Sequence, residues 1–145
     1  MAWIFILNVV GYLLGAAGLE RIHLFAGRRG VAFIAAILHV VGITILVTKP
    51  LYPIALLAYF VVGIGTGCAD AGFCAWAANV RDVNAVQGLI HGSFSVGCVI
   101  GPMLVAALEK AGLGWNVFYM VMVRHGLLDH ISQVIPLTSS LARRR

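Results

Sequence analysis

Hydrophobic residues fill most of the chain in long runs that short polar segments separate. The runs cover residues 1–19, 31–48, 51–78, 85–108 and 115–123. A helix needs about 20 apolar residues to cross the hydrocarbon core of a bilayer. The first four runs therefore predict transmembrane helices, whereas Arg124 cuts the fifth run short. We predict an all-α, polytopic transmembrane helical bundle over residues 1–123 and a cytoplasmic or interfacial tail over residues 124–145.

Composition supports this interpretation and excludes a domain whose surface faces water. Hydrophobic residues make up 61% of the chain and charged residues 10%, whereas about a quarter of the residues of a soluble domain are charged. The net charge of +5 does not indicate nucleic acid, because the basic residues lie singly or in pairs between apolar runs. We expect a multi-pass protein of the plasma membrane or an internal membrane, with the lipid bilayer as its partner.

The basic residues also predict an orientation. Arg21, Arg28 and Arg29 fall in one connection, and Arg81 falls on the same side two helices later. Basic residues accumulate on the cytoplasmic side of membrane proteins. We therefore expect the arginine-rich connections inside and the N-terminus outside, an arrangement that suggests an earlier helix in the complete protein.

The third run contains an acidic residue, Asp70, which is costly inside a bilayer. Helical spacing places it on one face with Gly63, Thr66 and Cys74. One interpretation is a substrate-binding or proton-coupling carboxylate beside an aqueous path. The other is a structural carboxylate that hydrogen-bonds a neighbouring helix. The sequence leaves both open.

A polar stripe follows the fourth run. Its members recur at spacings of three and four residues and fall within an arc of roughly 80° on a helix; they are Asn84, Gln87, His91, Ser95 and Cys98. Lipid cannot satisfy an amide or an imidazole, so this face must meet protein or water. It either lines a path for a polar solute, with Gln87 and His91 as contacts, or packs against neighbouring helices.

Other features favour helix packing over chemistry. The first run places Asn8, Gly11, Tyr12 and Gly15 on one face, which is typical of a close helix crossing. Further glycine pairs with the same spacing are Gly63 with Gly67, Gly88 with Gly92, and Gly97 with Gly101. The three cysteines predict neither a disulfide nor a metal site. No catalytic motif accompanies these residues, so we expect no enzyme activity and no cofactor.

Four segments resemble the major facilitator superfamily, in its fungal branch related to fucose and glucose/galactose permeases. They are RIHLFAGRRG (21–30), GCADAGFCAWAAN (67–79), NAVQGLIHG (84–92) and AGLGWNVFY (111–119). The resemblance covers about residues 11–123. It implies part of the N-terminal half of a facilitator-type transporter, from about the second helix to the sixth. It also implies that Gly27, Arg28, Arg29 and Gly30 form the cytoplasmic gate loop.

The leading hypothesis is therefore transmembrane transport of a small solute, such as a sugar, with the proton as a candidate coupling ion. The expected cavity residues are Asp70, Gln87, His91, Asn84, Asn79 and Thr66. Transport by alternating access needs two halves, so we expect activity to require further transporter helices or a partner permease. The alternative is a non-transporting assembly or regulatory membrane protein that packs through glycine-rich faces. A membrane enzyme that uses Asp70 and His91 is a weaker third hypothesis.

Overall fold

The computed structural model describes residues 2–124, and every regular element in that range is an α-helix. Helix α1 spans Ala2–Val47, α2 spans Tyr52–Ala77 and α3 spans Val83–Lys110. Residues 116–124 are also helical. The expected all-α class is confirmed for these residues. The remaining 125–145, which include most of the expected tail, lie outside the described residues.

Helix α1 consists of two arms joined at a single residue. Gly27 has φ 66° and ψ −177°, whereas the helix continues on either side of it. This conformation is essentially restricted to glycine. We refer to residues 2–26 as the first arm and to residues 28–47 as the second arm. The connection expected between residues 19 and 31 is thus mostly helical, because one glycine is enough to redirect the chain.

Helix α2 packs against both arms, and the contacts fix their directions. Residue numbers increase in the same direction along the first arm and along α2, since Gly11 lies beside Phe60 and Gly15 beside Ile64. The second arm runs in the opposite direction, since Gly42 lies beside Ala58 whereas the earlier Ala35 lies beside the later Gly65. The first arm is therefore parallel to α2 and the second arm is antiparallel to it.

The first arm and α2 are held together by interlocking glycines. A Cβ on Gly11 or Gly15 would overlap a carbonyl oxygen of α2, and a Cβ on Gly63 or Gly67 would overlap a carbonyl oxygen of the first arm. Both helices thus have glycines, which lack a side chain, at the crossing, so their backbones are in direct contact. Such close approach permits van der Waals and Cα–H···O contacts along both helices. The expected close crossing at Gly11 and Gly15 is present.

The second arm covers another face of α2. Gly65 lies against the backbone of Ala35 and His39, and Gly42 against Ala58 and Val62. Leu46 and Ala58 are almost completely buried. Gly65 is two positions from both Gly63 and Gly67, which places it about 200° around the helix. Helix α2 is therefore the central member of the three packed segments.

Helix α3 stands largely apart from them. It has slight contact with α2 and, within the described range, none with α1, and none of its residues is buried. The chain then returns to the start of α2. There the Tyr59 and Tyr119 hydroxyls share a hydrogen bond of 2.7 Å, and Asn116 is buried. Segment 116–124 consequently lies beside α2, whereas α3 has only slight contact with that helix.

Three of the described helices, α1, α2 and α3, are long and apolar enough to cross a membrane, as judged by length and composition. Large apolar side chains remain exposed along their outer faces. Examples are Phe5, Leu13, Phe33, Leu57 and Phe94.

Candidate functional site

A hydrogen bond joins the first arm to α2 at the acidic residue singled out by the sequence. The Tyr12 hydroxyl donates to Asp70 Oδ2 at 2.5 Å. Both side chains are half-buried. The glycine crossing creates this pair, because Gly67, one turn before Asp70, lies directly against the Tyr12 backbone. The geometry matches the structural interpretation of Asp70, in which the carboxylate bonds a neighbouring helix.

Two further candidates on and after α2 bond their own helix. The Thr66 hydroxyl donates to the Val62 carbonyl at 2.9 Å, and Asn79 Nδ2 donates to the Ala75 carbonyl at 2.8 Å. Thr66 is half-buried, whereas Asn79 is exposed just beyond the end of α2. Neither bond links two segments.

The remaining cavity candidates lie on α3 and are accessible. Asn84 and His91 are exposed, and Gln87 is half-buried. The Ser95 hydroxyl, on the same stripe, donates to the His91 carbonyl at 2.9 Å. A Cβ added to Gly88 or to any other glycine inside α3 would meet nothing within 4 Å. Apart from the half-buried Gln87, the polar stripe is thus exposed in the described part of the chain.

The structure does not gather the six cavity candidates into one site. Asp70 is engaged between the first arm and α2, whereas Gln87 and His91 lie on a helix with little contact to either. Two of the open concavities formed by described residues contain no cavity candidate. One is lined by Thr44, Val47, Met120, Val123 and Arg124, and the other by Ala16, Ala17, Leu19, Glu20, His23, Leu24 and Ala75.

The expected gate loop lies at the break in α1. Gly27 forms the break, Arg28 and Arg29 are exposed at the start of the second arm, and Gly30 is half-buried. A Cβ on Gly30 would overlap that of Ala26, which faces it across the break. These residues therefore shape the turn between the arms.

Sequence reasoning missed the partners that the helices bring together. Tyr12 was assigned to a packing face, yet its hydroxyl is the donor to Asp70. The sequence did contain a signal for this bond, because Tyr12 lies one turn after Asn8 on the helix face that also carries Gly11 and Gly15. No spacing argument could have paired Tyr59 with Tyr119, because they are 60 residues apart.

Among residues 2–124, no group of three or more His, Cys, Asp or Glu side chains is placed where it could hold a metal ion. The Cys68 thiol is buried and donates to the Gly15 carbonyl at 3.3 Å. This contact adds to the helix crossing.

Comparison with known proteins gives a distant match. The chain is 27% identical over 130 residues to "Bypass of stop codon protein 6" of Saccharomyces cerevisiae. The aligned region covers 88% of this chain and 26% of the yeast protein. The chain therefore spans about a quarter of the length of this relative. No protein-family model matches the chain, and no solved structure matches it.

These comparisons overturn the resemblance to the major facilitator superfamily. No model of that family matches, and the relative found is not described as a transporter of that superfamily. The physical reason is that the four segments are short. Paired arginines beside an apolar run follow from the positive-inside tendency, and spaced glycines follow from close helix packing, so many unrelated helical proteins carry such segments.

Proposed function

We propose that the chain is a multi-pass membrane protein whose α1 arms, α2 and α3 each cross the bilayer. The single residue Gly27 reverses the chain between two apolar arms, and large apolar side chains cover the outside of the packed helices. An apolar outer surface of this kind is stable in lipid and costly in water. The basic connections would then lie on the cytoplasmic side.

The proposed function is transport of a small polar solute, for which sugars are a reasonable first class to test. The observation that carries this proposal is the largely exposed polar stripe of α3. Gln87 and His91 cannot be satisfied by lipid, and α3 has only slight contact with α2 and no buried residue. An aqueous path between α3 and further helices would hydrate these side chains and expose them to a passing solute. Transport would then require additional helices or a partner permease.

Asp70 takes a supporting part in this proposal. Its carboxylate is held by Tyr12, so it fixes the position of the first arm relative to α2.

The proposal can be tested by uptake into vesicles. The chain would be purified in mild detergent with any partner that remains bound, reconstituted, and assayed with radiolabelled monosaccharides and polyols. We expect uptake that falls in Gln87→Ala and His91→Ala. The matched control is Ser93→Ala, because Ser93 lies on the opposite side of α3 and donates only to the Leu89 carbonyl, at 2.8 Å. Undiminished uptake in both stripe variants would refute the assignment.

A second candidate function is a non-transporting assembly protein. It is favoured by Gly88 and Gly92, which have the spacing that joins α1 to α2 but are open in the described structure. Under this alternative, Gly92→Leu would abolish association with a partner, and no solute would be taken up by the wild-type complex. Uptake that depends on Gln87 and His91 would exclude it.

A further inference from the structure

Most residues in the turn between the two arms of α1 are exposed. We refer to residues 20–30 as the elbow. A Cβ placed on Gly72 of α2 would lie 3.5 Å from Val31 Cγ1 and 4.0 Å from Leu19 Cδ1. Leu19 and Val31, the residues immediately before and after the elbow, therefore both lie close to α2. Part of the elbow also borders α2, since Glu20, His23 and Leu24 line an open concavity together with Ala75.

The elbow combines two kinds of exposed side chain. Phe25 is 96% exposed and Leu24 is 80% exposed. Arg21, Arg28 and Arg29 are exposed around them. The elbow sequence contains these three arginines and one acid, Glu20. The tip of the elbow, Leu24 and Phe25, is therefore apolar and exposed, and exposed arginines precede and follow it in the sequence.

This combination fits the boundary of a bilayer better than it fits water. From Ala2 to Leu19 the first arm rises about 27 Å, close to the thickness of the hydrocarbon core. The elbow then falls at the level of the lipid headgroups. There, aromatic and aliphatic side chains can enter the edge of the hydrocarbon region, while guanidinium groups pair with phosphates in bidentate geometry.

We propose that the elbow binds anionic phospholipid headgroups on the arginine-rich side of the membrane. Arg21, Arg28 and Arg29 supply the charge that selects an anionic lipid, and Leu24 and Phe25 hold the tip at the interface. This inference rests on the membrane placement given above and is independent of solute transport. Neutral phospholipid would contact the same tip without enrichment.

Local lipid composition can be measured by fluorescence quenching. An environment-sensitive fluorophore would be attached at Ala26→Cys in a chain whose Cys68, Cys74 and Cys98 are replaced by alanine, reconstituted in phosphatidylcholine vesicles. Spin-labelled phosphatidylserine and spin-labelled phosphatidylcholine would be compared as quenchers at equal mole fractions. A basic residue near a membrane surface favours anionic lipid by about fivefold. We expect stronger quenching by phosphatidylserine, reduced by high salt because exposed charges are screened.

The decisive comparison uses charge variants. Arg21→Gln, Arg28→Gln and Arg29→Gln combined should abolish the preference for phosphatidylserine. The matched control is Lys49→Gln with Lys110→Gln, at the opposite ends of the helices, which should leave the preference unchanged. Inorganic phosphate added to neutral vesicles should not reproduce the effect. Equal quenching by both lipids in the wild-type chain, or an unchanged preference in the triple variant, would overturn the proposal.

A second label distinguishes failure of this proposal from failure of the membrane placement. Leu13, in the middle of the first arm, is 60% exposed. A fluorophore at Leu13→Cys should be quenched by spin-labelled phosphatidylcholine whether or not the elbow selects anionic lipid. Quenching at position 13 without lipid preference at position 26 would reject only the elbow site. Absence of quenching at both positions would reject the membrane placement as well.

Discussion

Tyr12 donates a hydrogen bond of 2.5 Å to Asp70 across 58 positions of sequence. The bond is possible because glycines on both helices let the first arm of α1 and α2 approach until their backbones touch. The hydrogen bond between the helices thus depends on the neighbouring glycines, which have no side chain to keep the helices apart. Substitution of the hydrogen-bonding residues and substitution of the glycines can therefore be tested separately.

Removal of the Tyr12 hydroxyl should weaken the crossing. Hydrogen bonds to charged groups contribute about 1.5–3 kcal/mol in proteins, and bonds between membrane helices often contribute less. We expect Tyr12→Phe to lower the free energy of unfolding in mixed micelles by about 1–2 kcal/mol. The matched control, Tyr52→Phe at the exposed start of α2, should have little effect. An additive Tyr12→Phe, Asp70→Asn double variant would contradict the bond, because coupled residues are non-additive.

A methyl group at the crossing should be more damaging than one on α3. The Cβ of Gly63→Ala would overlap the Asn8 carbonyl oxygen, and overpacking of this kind costs about 1–3 kcal/mol. Gly92→Ala meets nothing within 4 Å, so it should leave stability unchanged or raise it through helix propensity. Unfolding of both variants in the same micelles provides the measurement. Equal losses of stability would show that the crossing is not specific.

The break at Gly27 should depend on backbone conformation and not on space. No atom lies within 4 Å of a Cβ placed there, yet φ is +66°. Alanine in this conformation costs about 1–3 kcal/mol, so Gly27→Ala should lower the melting temperature or straighten the elbow. Gly18→Ala, inside the helical part of the first arm, should be neutral or stabilising. A spin-label distance between the two arms would detect straightening, and an unchanged distance with unchanged stability would refute this account.

The bond between Tyr59 and Tyr119 should hold segment 116–124 against α2. We expect Tyr119→Phe to accelerate amide hydrogen exchange in this segment while exchange in the interior of α2 stays slow. Tyr59→Phe should produce the same acceleration, and the double variant should add nothing further. An acceleration that spreads through α2 would show instead that the pair stabilises the whole bundle.

The sequence predicts the helices well because hydrophobic runs and glycine spacing are local signals. Gly11 and Gly15 predict a crossing that the structure shows, and the end of the second apolar run at residue 48 predicts a helix end near which α1 stops. Partners were harder to predict. Glycine pairs on α1, α2 and α3 look alike in sequence, yet only those of α1 and α2 meet among the described helices. Which pairs meet depends on helix directions, and the turns that set them contain positive φ values at Gly27 and Lys49.

The candidate site shows the same limit. Asp70 was identified from its cost in lipid, but the cost alone could not show whether water or Tyr12 satisfies the carboxylate. The stripe on α3 was predicted from periodicity, and its members do share an accessible helix. The spacing of Gln87 and His91 does not indicate whether another segment or solvent contacts these side chains.

Accessibility along α3 tests most directly whether its polar face meets water inside a membrane. Single cysteines would be placed at Gln87, His91, Leu89 and Val96 in a chain without its native cysteines, and exposed in vesicles to a charged thiol reagent. We predict rapid modification at positions 87 and 91 and protection at positions 89 and 96, which lie on the apolar side. Protection at 87 and 91 together with modification at 89 and 96 would contradict the account.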